Sequence, residues 1–317
     1  CQRDAVDDIA AIRSIAADFA ADGLRVLAMA YKPMPPDTDA VMDADVTHGL
    51  VFAGLQGMID PPRAEAIAAV AGCHAAGIRV MMLTGDHADT AGAIAARLGI
   101  APEGDRAVTG RELAGMDDGE LDVLLGSTNV FARIAPEHKL RIVERLKAAG
   151  EVVAVTGDGV NDAPALKAAH LGVAIGRSGT DVAKESSDMV LSDDNFSNIF
   201  EAVREGRIVF DNLRKVVFFL IPTGIAAVWS ILVTVLLGVP MPYLPAQLLW
   251  INLVTNGLQD VALAFEPGEP GVEKRPPRRP DEGIMNAVLV QRTVVVSLVI
   301  AAGVVLDYLG ALDAGYP

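Results

Sequence analysis

Two aspartates four residues apart, Asp158 and Asp162, lie in the stretch VVAVTGDGVNDAPALKAA, residues 152–169. Carboxylates at that spacing in a glycine-rich turn can share a magnesium ion, which takes few protein ligands and keeps several waters. Gly157 and Gly159 let the backbone approach a ligand closely. Two other segments carry complementary groups. MMLTGDH (81–87) closes an apolar run with Thr84, Gly85 and Asp86, and ARIAPEHKLRIV (132–143) places Lys139 in the first turns of a helix. A hydroxyl and an ammonium group hold phosphoryl oxygens. Each segment alone is ordinary, since TGD is a common turn and a single lysine a common surface charge; together they describe a magnesium and phosphoryl site.

Such residues need strand ends to position them. Val152, Val153, Ala154 and Val155 read as a short strand covered on both faces, as parallel sheets require. Between Val51 and Leu191 the runs IRVMML, VFARI, VVAVT, LGVAI and DMVL alternate with amphipathic helices. That rhythm predicts an α/β, Rossmann-like parallel sheet wrapped by helices. The strand ends of one sheet converge on one edge, where open α/β sheets keep their ligands. Thr84, Lys139, Asp158 and Asp162 are therefore expected around a single ligand.

The remainder of the chain is built for a bilayer. Of the 317 residues, 51% are hydrophobic and the mean hydropathy is +0.36, too high for a purely soluble enzyme. No charged residue occurs from Val216 to Gln259, and only GVPMPYLP interrupts the run. This predicts a transmembrane helical hairpin of two spans of about 20 residues. A third span is expected from Ala287 to Leu309, with Arg292 near its start and Asp307 near its end. Arg204, Arg207, Arg214 and Lys215 precede the hairpin, and Lys274, Arg275, Arg278 and Arg279 follow it; both flanks are then cytoplasmic. The net charge of −15, with no basic stripe interleaved with aromatics, excludes a nucleic-acid partner. Cys1 and Cys73 suggest neither a disulfide framework nor a metal site.

Residues 1–45 read as the end of a preceding domain, 46–195 as the α/β domain and 196–215 as a stalk helix entering the membrane. The hairpin then covers 216–265, a cytoplasmic loop 266–286, the further span 287–309, and a short end 310–317. The chain lacks an initial Met and a signal peptide, so a fragment of a longer protein is expected.

MLTGDH, FARIAPEHKLRIVERL, TGDGVNDAPALKAAHLGVAIG and GTDVAKESSDMVL resemble the phosphorylation domain of the P-type ATPases, the ion-pump branch of the haloacid dehalogenase superfamily, and the resemblance extends through the hairpin. It implies that Thr84 and Lys139 hold the phosphoryl group, that Asp158 coordinates Mg2+, and that Asn161 and Asp162 order that site. Gly85, Asp86 and Arg133 join the phosphoryl and ATP contacts, and Arg25 of GLRVLAMAYK, at the end of a nucleotide-binding domain, approaches the ATP phosphates. The family's DKTGT nucleophile and its TGE actuator loop are absent from this sequence. By that resemblance the chain alone does not hydrolyse ATP, and the missing upstream part of the same pump is its partner.

The second span, PAQLLWINLVTNGLQDVALAFEP, carries Asn252, Asn256 and Asp260 at i, i+4 and i+8, with Thr255 and Gln259 beside them. On a regular helix these share one face, and a carboxylate within a bilayer points to function. QLLWINLVTNGL and KRPPRRP are similar to the calcium pumps of the sarcoplasmic reticulum and their bacterial relatives. That likeness puts Asn252 and Thr255 on ligand positions, but Asn256 stands where those pumps have an aspartate, and Gly224 and Ala227 replace an asparagine and a glutamate. With fewer hard oxygen ligands than a two-calcium site, a single ion, a different cation, or Asp260 as a substitute carboxylate all stay open, and calcium, manganese, sodium and potassium are the candidate cations. The expected setting is a bacterial plasma membrane with residues 1–215 cytoplasmic. The alternatives are a membrane-anchored phosphatase of the same superfamily and a non-enzymatic membrane subunit that binds nucleotide or magnesium.

Overall fold

In a computed structural model of the protein, residues 5–21, 23–35, 41, 43–58, 61–279 and 282–315 are described. The chain divides into two compact units, one ending at Asn198 and one beginning at Ile199.

The first unit opens with α1 (Ala5–Ala21), β1 (Arg25–Tyr31), α2 (Asp43–Thr47) and β2 (Val51–Met58). β1 and β2 form an antiparallel ribbon whose register runs from Arg25↔Met58 to Tyr31↔Val51. The segment expected to open the parallel sheet thus pairs backwards with β1, across the boundary placed at residue 45. None of its residues is buried, which suits a ribbon and not a buried parallel strand.

Next come α3 (Ala64–Ala75), β3 (Met82–Leu83), α4 (Ala88–Leu98), β4 (Val108–Thr109), α5 (Gly110–Ala114), α6 (Asp118–Leu125), β5 (Val130–Ala132) and α7 (Pro136–Ala148). β3, β5 and β4 form a parallel sheet in that order. Its central strand shows why helices cover both faces. Val130 and Ala132 pack with Val70, Ala91, Ala95 and Ile100, whereas Phe131 packs with Leu113, Leu121, Leu125 and Ile142, as the two-residue period of a strand dictates. α5 and α6 begin at capping boxes, Thr109 with Glu112 and Asp117 with Glu120, which satisfy their first free amides. Arg141 and Arg145 of α7 pair with Asp118 and Asp122 of α6.

β6 (Ala154–Gly157), α8 (Ala163–Ala168), β7 (Leu171–Ile175), α9 (Asp181–Glu185) and β8 (Met189–Leu191) build a second parallel sheet, in the order β6-β7-β8. The single sheet expected from the sequence is therefore two, and β3 and β6 each have one edge without a strand partner among the described residues. The same fact corrects the reading of Val152–Val155. β6 starts only at Ala154, and Val152 is 69% exposed, because an edge strand lacks the neighbour that would cover it.

In the second unit α10 (Ser197–Leu236) is continuous through the expected stalk and first span, about 60 Å at 1.5 Å per residue. It buries Pro222, Ala226, Ser230 and Thr234, one residue per turn, and the hydroxyls of Ser230 and Thr234 donate to the carbonyls of Ala226 and Ser230. α13 (Ala287–Asp313), reached after α11 (Pro245–Trp250) and α12 (Gly257–Ala264), buries Thr293, Ser297, Ala301 and Val305 with the same period. α10 and α13 are long and apolar enough to cross a membrane. The second arm of the hairpin was expected as one regular helix. It is helical from Pro245 to Ala264, but Ile251–Asn256 forms a π-helix between α11 and α12.

The basic residues beside the apolar segments are engaged locally. Lys215 pairs with Glu266, Arg214 with Glu282, and Arg275 with both Asp211 and Glu269. The Arg278 guanidinium lies 3.1 Å from the centre of the Phe210 ring, a cation–π contact.

Phe131 is fully buried between helices. Phe131→Ala is expected to cost about 3–5 kcal/mol, read as a lowered urea midpoint of the first unit's transition. An unchanged midpoint would contradict the assignment of this strand as the centre of the core.

Candidate phosphoryl and cation sites

The ends of β3 and β5 are zipped together by their backbones. Thr84 N–H donates to the Phe131 carbonyl at 2.9 Å, Ile134 N–H to Thr84 at 3.0 Å and Arg133 N–H to Asp86 at 3.0 Å. Within the TGD turn the Thr84 hydroxyl donates to Asp86 Oδ2 at 2.9 Å, and Asp86 N–H donates to Thr84 Oγ1 at 3.1 Å. A Cβ added at Gly85 would meet nothing within 4 Å, so the turn opens onto free space. Arg133 has a φ of 49°, a left-handed conformation uncommon for a residue with a side chain. It turns the chain sharply from β5 into α7, where Pro136 occupies the start of the helix and suits it, having no N–H to leave unpaired.

α7 carries Lys139 to the turn after β6. Lys139 Nζ donates to Asp162 Oδ1 at 2.6 Å, and both side chains are largely buried. The other oxygen, Oδ2, accepts the N–H groups of Asp158 and Gly159, each at 3.2 Å. Expected to share a magnesium ion with Asp158, Asp162 instead directs both oxygens to protein donors. Burial opposes its ionised form, but the Lys139 ammonium together with the Gly159 and Asp158 amides outweighs burial and holds its pKa below the ordinary carboxylate value. A Cβ on Gly157 would lie 2.8 Å from Asp162 Cγ, so only glycine lets that carboxylate fold back beneath its own turn. The Asp158 carbonyl accepts Thr180 N–H at 2.8 Å, and the side chains of Asp158 and Asn161 are exposed.

The structure thus joins Lys139 to Asp162 and Asp162 to the Asp158 backbone, and separately joins Thr84, Asp86 and Arg133. The exposed Asp158 carboxylate fits a magnesium ion that draws its other ligands from water and phosphate. Arg25 opens β1, and its side chain lies outside the described residues.

In the second unit the π-helix brings Asn252 and Asn256 together. Asn256, 3% exposed, donates through Nδ2 to Asn252 Oδ1 at 3.2 Å and to Thr223 Oγ1 of α10 at 3.5 Å. One extra residue in a turn rotates the rest of the helix by about 100°. Positions eight apart on a regular helix already stand about 80° apart, so the extra residue does not by itself take Asp260 off that face; among the described residues no hydrogen bond links Asp260 to the asparagines. Its Oδ1 is buried without a hydrogen-bond partner. The side chain of Thr255 lies outside the described residues. Thr223 was not singled out from sequence; the available signal was a hydroxyl beside a proline in a charge-free span.

Known proteins match both parts of the chain in sequence. A family model described as haloacid dehalogenase-like hydrolase matches residues 20–170, a second of that description matches 139–203, and one described as cation transporting ATPase, C-terminus, matches 240–316. The chain is 52% identical over 282 residues to the cation-transporting ATPase pma1 of Synechocystis, covering 89% of this chain and 31% of the relative. It is 47% identical over 297 residues to the probable cation-transporting ATPase F of Mycobacterium bovis, covering 92% and 33%. It is 42% identical over 291 residues to a calcium-transporting ATPase of Bacillus subtilis, again covering 92% and 33%. The chain spans about a third of the length of these relatives.

Lys139→Met leaves Asp162 buried without its counter-charge. The expected loss at neutral pH is about 2–3 kcal/mol, the range of a charged hydrogen bond and somewhat less than a fully buried pair. A lowered native pKa contributes stability above the unfolded value, about 4, and loses it as the pH falls through the native value. Wild type should therefore lose stability toward pH 3 more steeply than Lys139→Met. Urea midpoints measured from pH 7 to 3 check this, and parallel pH curves for the two proteins would contradict it.

Proposed function

The chain belongs to the cation-transporting ATPase family, and from that premise we propose that it supplies the phosphoryl-handling turns and part of the cation path of an ATP-driven pump. The observation that carries the reading is the 2.6 Å contact of Lys139 with Asp162, whose other oxygen holds the amides of Asp158 and Gly159. It connects two of the three chemistry-bearing segments at the ends of parallel strands.

In this reading the Thr84 hydroxyl and the Lys139 ammonium meet the phosphoryl oxygens of ATP and of the aspartyl phosphate. Asp162 fixes Lys139 and the turn without touching the substrate, and Asn161, Gly85, Asp86, Arg133 and Arg25 complete the surroundings. Asp158 holds the magnesium ion together with phosphate oxygens. When bound, that ion neutralises charge on the transferred group. The acceptor aspartate comes from outside these 317 residues, which contain no DKTGT. The free edges of β3 and β6 suit a strand that brings it between Thr84 and Asp158, since both edge strands end at site residues.

α10 then carries the movement of the phosphorylated domain to the spans, and Asn252, Thr255, Asn256 and Asp260 bind the cation within a bacterial plasma membrane, residues 1–215 being cytoplasmic. Neutral amide and hydroxyl oxygens beside one carboxylate form a weaker field than a calcium site rich in carboxylates. Calcium, manganese, sodium and potassium are the cations to screen.

In liposomes bearing the full-length parent, ATP hydrolysis should be stimulated by one of these cations. Asp260→Asn should raise its half-saturating concentration at least about tenfold, equivalent to about 1.4 kcal/mol. Stimulation by none of the four would contradict the pump reading, and an unaltered response in the variant would remove Asp260 from the cation site.

A further inference from the structure

Asn212 lies on α10 before the apolar part of that helix and is only 3% exposed. Its Nδ2 donates to the carbonyls of Ala264, at 3.2 Å, and Glu266, at 2.7 Å. Ala264 is the last residue of α12, so its carbonyl is one of those that a helix end leaves without an intrahelical donor. One buried amide therefore closes the end of a neighbouring helix. Losing it would leave two carbonyls without their donor in a place with little water, which costs more than an exposed bond is worth. The ion pairs around it, Lys215 with Glu266 and Arg275 with Asp211, are partly exposed, where such pairs contribute little.

What the amide fixes is close to the unexplained carboxylate. Asp260 stands four residues before Ala264, and in a helix the N–H of residue i+4 bonds the carbonyl of residue i. A tether on Ala264 thus sets both the rotation and the depth of Asp260 through a single turn. This matters because Asp260 Oδ1 has no hydrogen-bond partner, so the carboxylate's position is set by the helix that carries it. At the other end of α12, Asn256 reaches Thr223 of the same α10. The helix bearing Asp260 is held at both ends by polar groups of α10, and its carboxylate oxygen Oδ1 is buried without a partner between them.

We propose that Asn212 is a positioning residue for the cation site: it touches no cation, and it places Asp260 by holding the carboxyl end of α12. The inference rests on the pump reading above.

The test uses the full-length parent in liposomes, with calcium, manganese, sodium and potassium each added alone. Asn212→Ala should raise the half-saturating concentration of the stimulating cation about tenfold. Asn212→Ser, which keeps one donor, should fall between Asn212→Ala and wild type. In the Asn212→Ala/Asp260→Asn double variant the half-saturating concentration should be no higher than in Asp260→Asn alone, since residues acting through one another are not additive. Phosphorylation by inorganic phosphate without the cation, which reads the cytoplasmic site, should stay within about twofold of wild type; a general folding defect would lower it. The proposal is overturned if Asn212→Ala leaves half-saturation unchanged, or if its effect multiplies with that of Asp260→Asn. Should Asn212→Ala fail to accumulate, Asn212→Ser decides by the same two criteria. A wild type unmoved by all four cations overturns the pump reading itself, and a wild type that responds while Asn212 variants match it overturns only this inference.

Discussion

A lysine on one helix and an aspartate in the turn after an unrelated strand are joined at 2.6 Å, and the arrangement of the proposed phosphoryl site depends on that contact. Lys139 belongs to the segment that leaves β5, which is zipped to β3 and so to Thr84. Asp162 belongs to the turn after β6 and grips the amides of Asp158 and Gly159. Among the described residues the two parallel sheets share no strand pairing, and the ion pair is a polar link between their site-bearing ends. The pair is largely buried, which makes separating its charges costly. Gly157 is the sequence's accommodation to this geometry, because any side chain there would collide with Asp162.

In the proposed reading the magnesium ion is given to Asp158, whose side chain is exposed. Asp162 already spends both oxygens on Lys139 and on the backbone amides of Asp158 and Gly159. The division is physically sensible: a phosphoryl site needs a cation-holding carboxylate at the surface, and a lysine that is held in place. Asp162 serves the second need from beneath the turn.

The order of motifs along βαβα units was legible in the sequence because each ends an apolar run with residues that no strand interior tolerates. The long apolar part of α10 was equally legible from its lack of charge, and the helix's unbroken course from its periodicity. Other features were not. Val152 looks like a buried strand residue by its type, yet its exposure depends on which strands lie beside β6, and that information is not local. The antiparallel pairing of β2 with β1 is likewise a matter of partners. The π-helix at Ile251–Asn256 leaves no mark in a pattern read at 3.6 residues per turn. Asn212 and Thr223 are ordinary polar residues until a neighbouring helix gives them something to hold.

The central claim is that Thr84 and Asp158, ending strands of separate sheets, act on one phosphoryl group. The most direct measurement is incorporation of radiolabelled phosphate from ATP into the full-length parent, comparing wild type with Thr84→Ala and Asp158→Ala. Each variant is expected to lose about 100-fold or more of its magnesium-dependent labelling rate, the usual loss for one preorganised electrostatic contact, while the detergent-solubilised protein remains folded. Labelling at the wild-type rate in either variant would contradict the shared site.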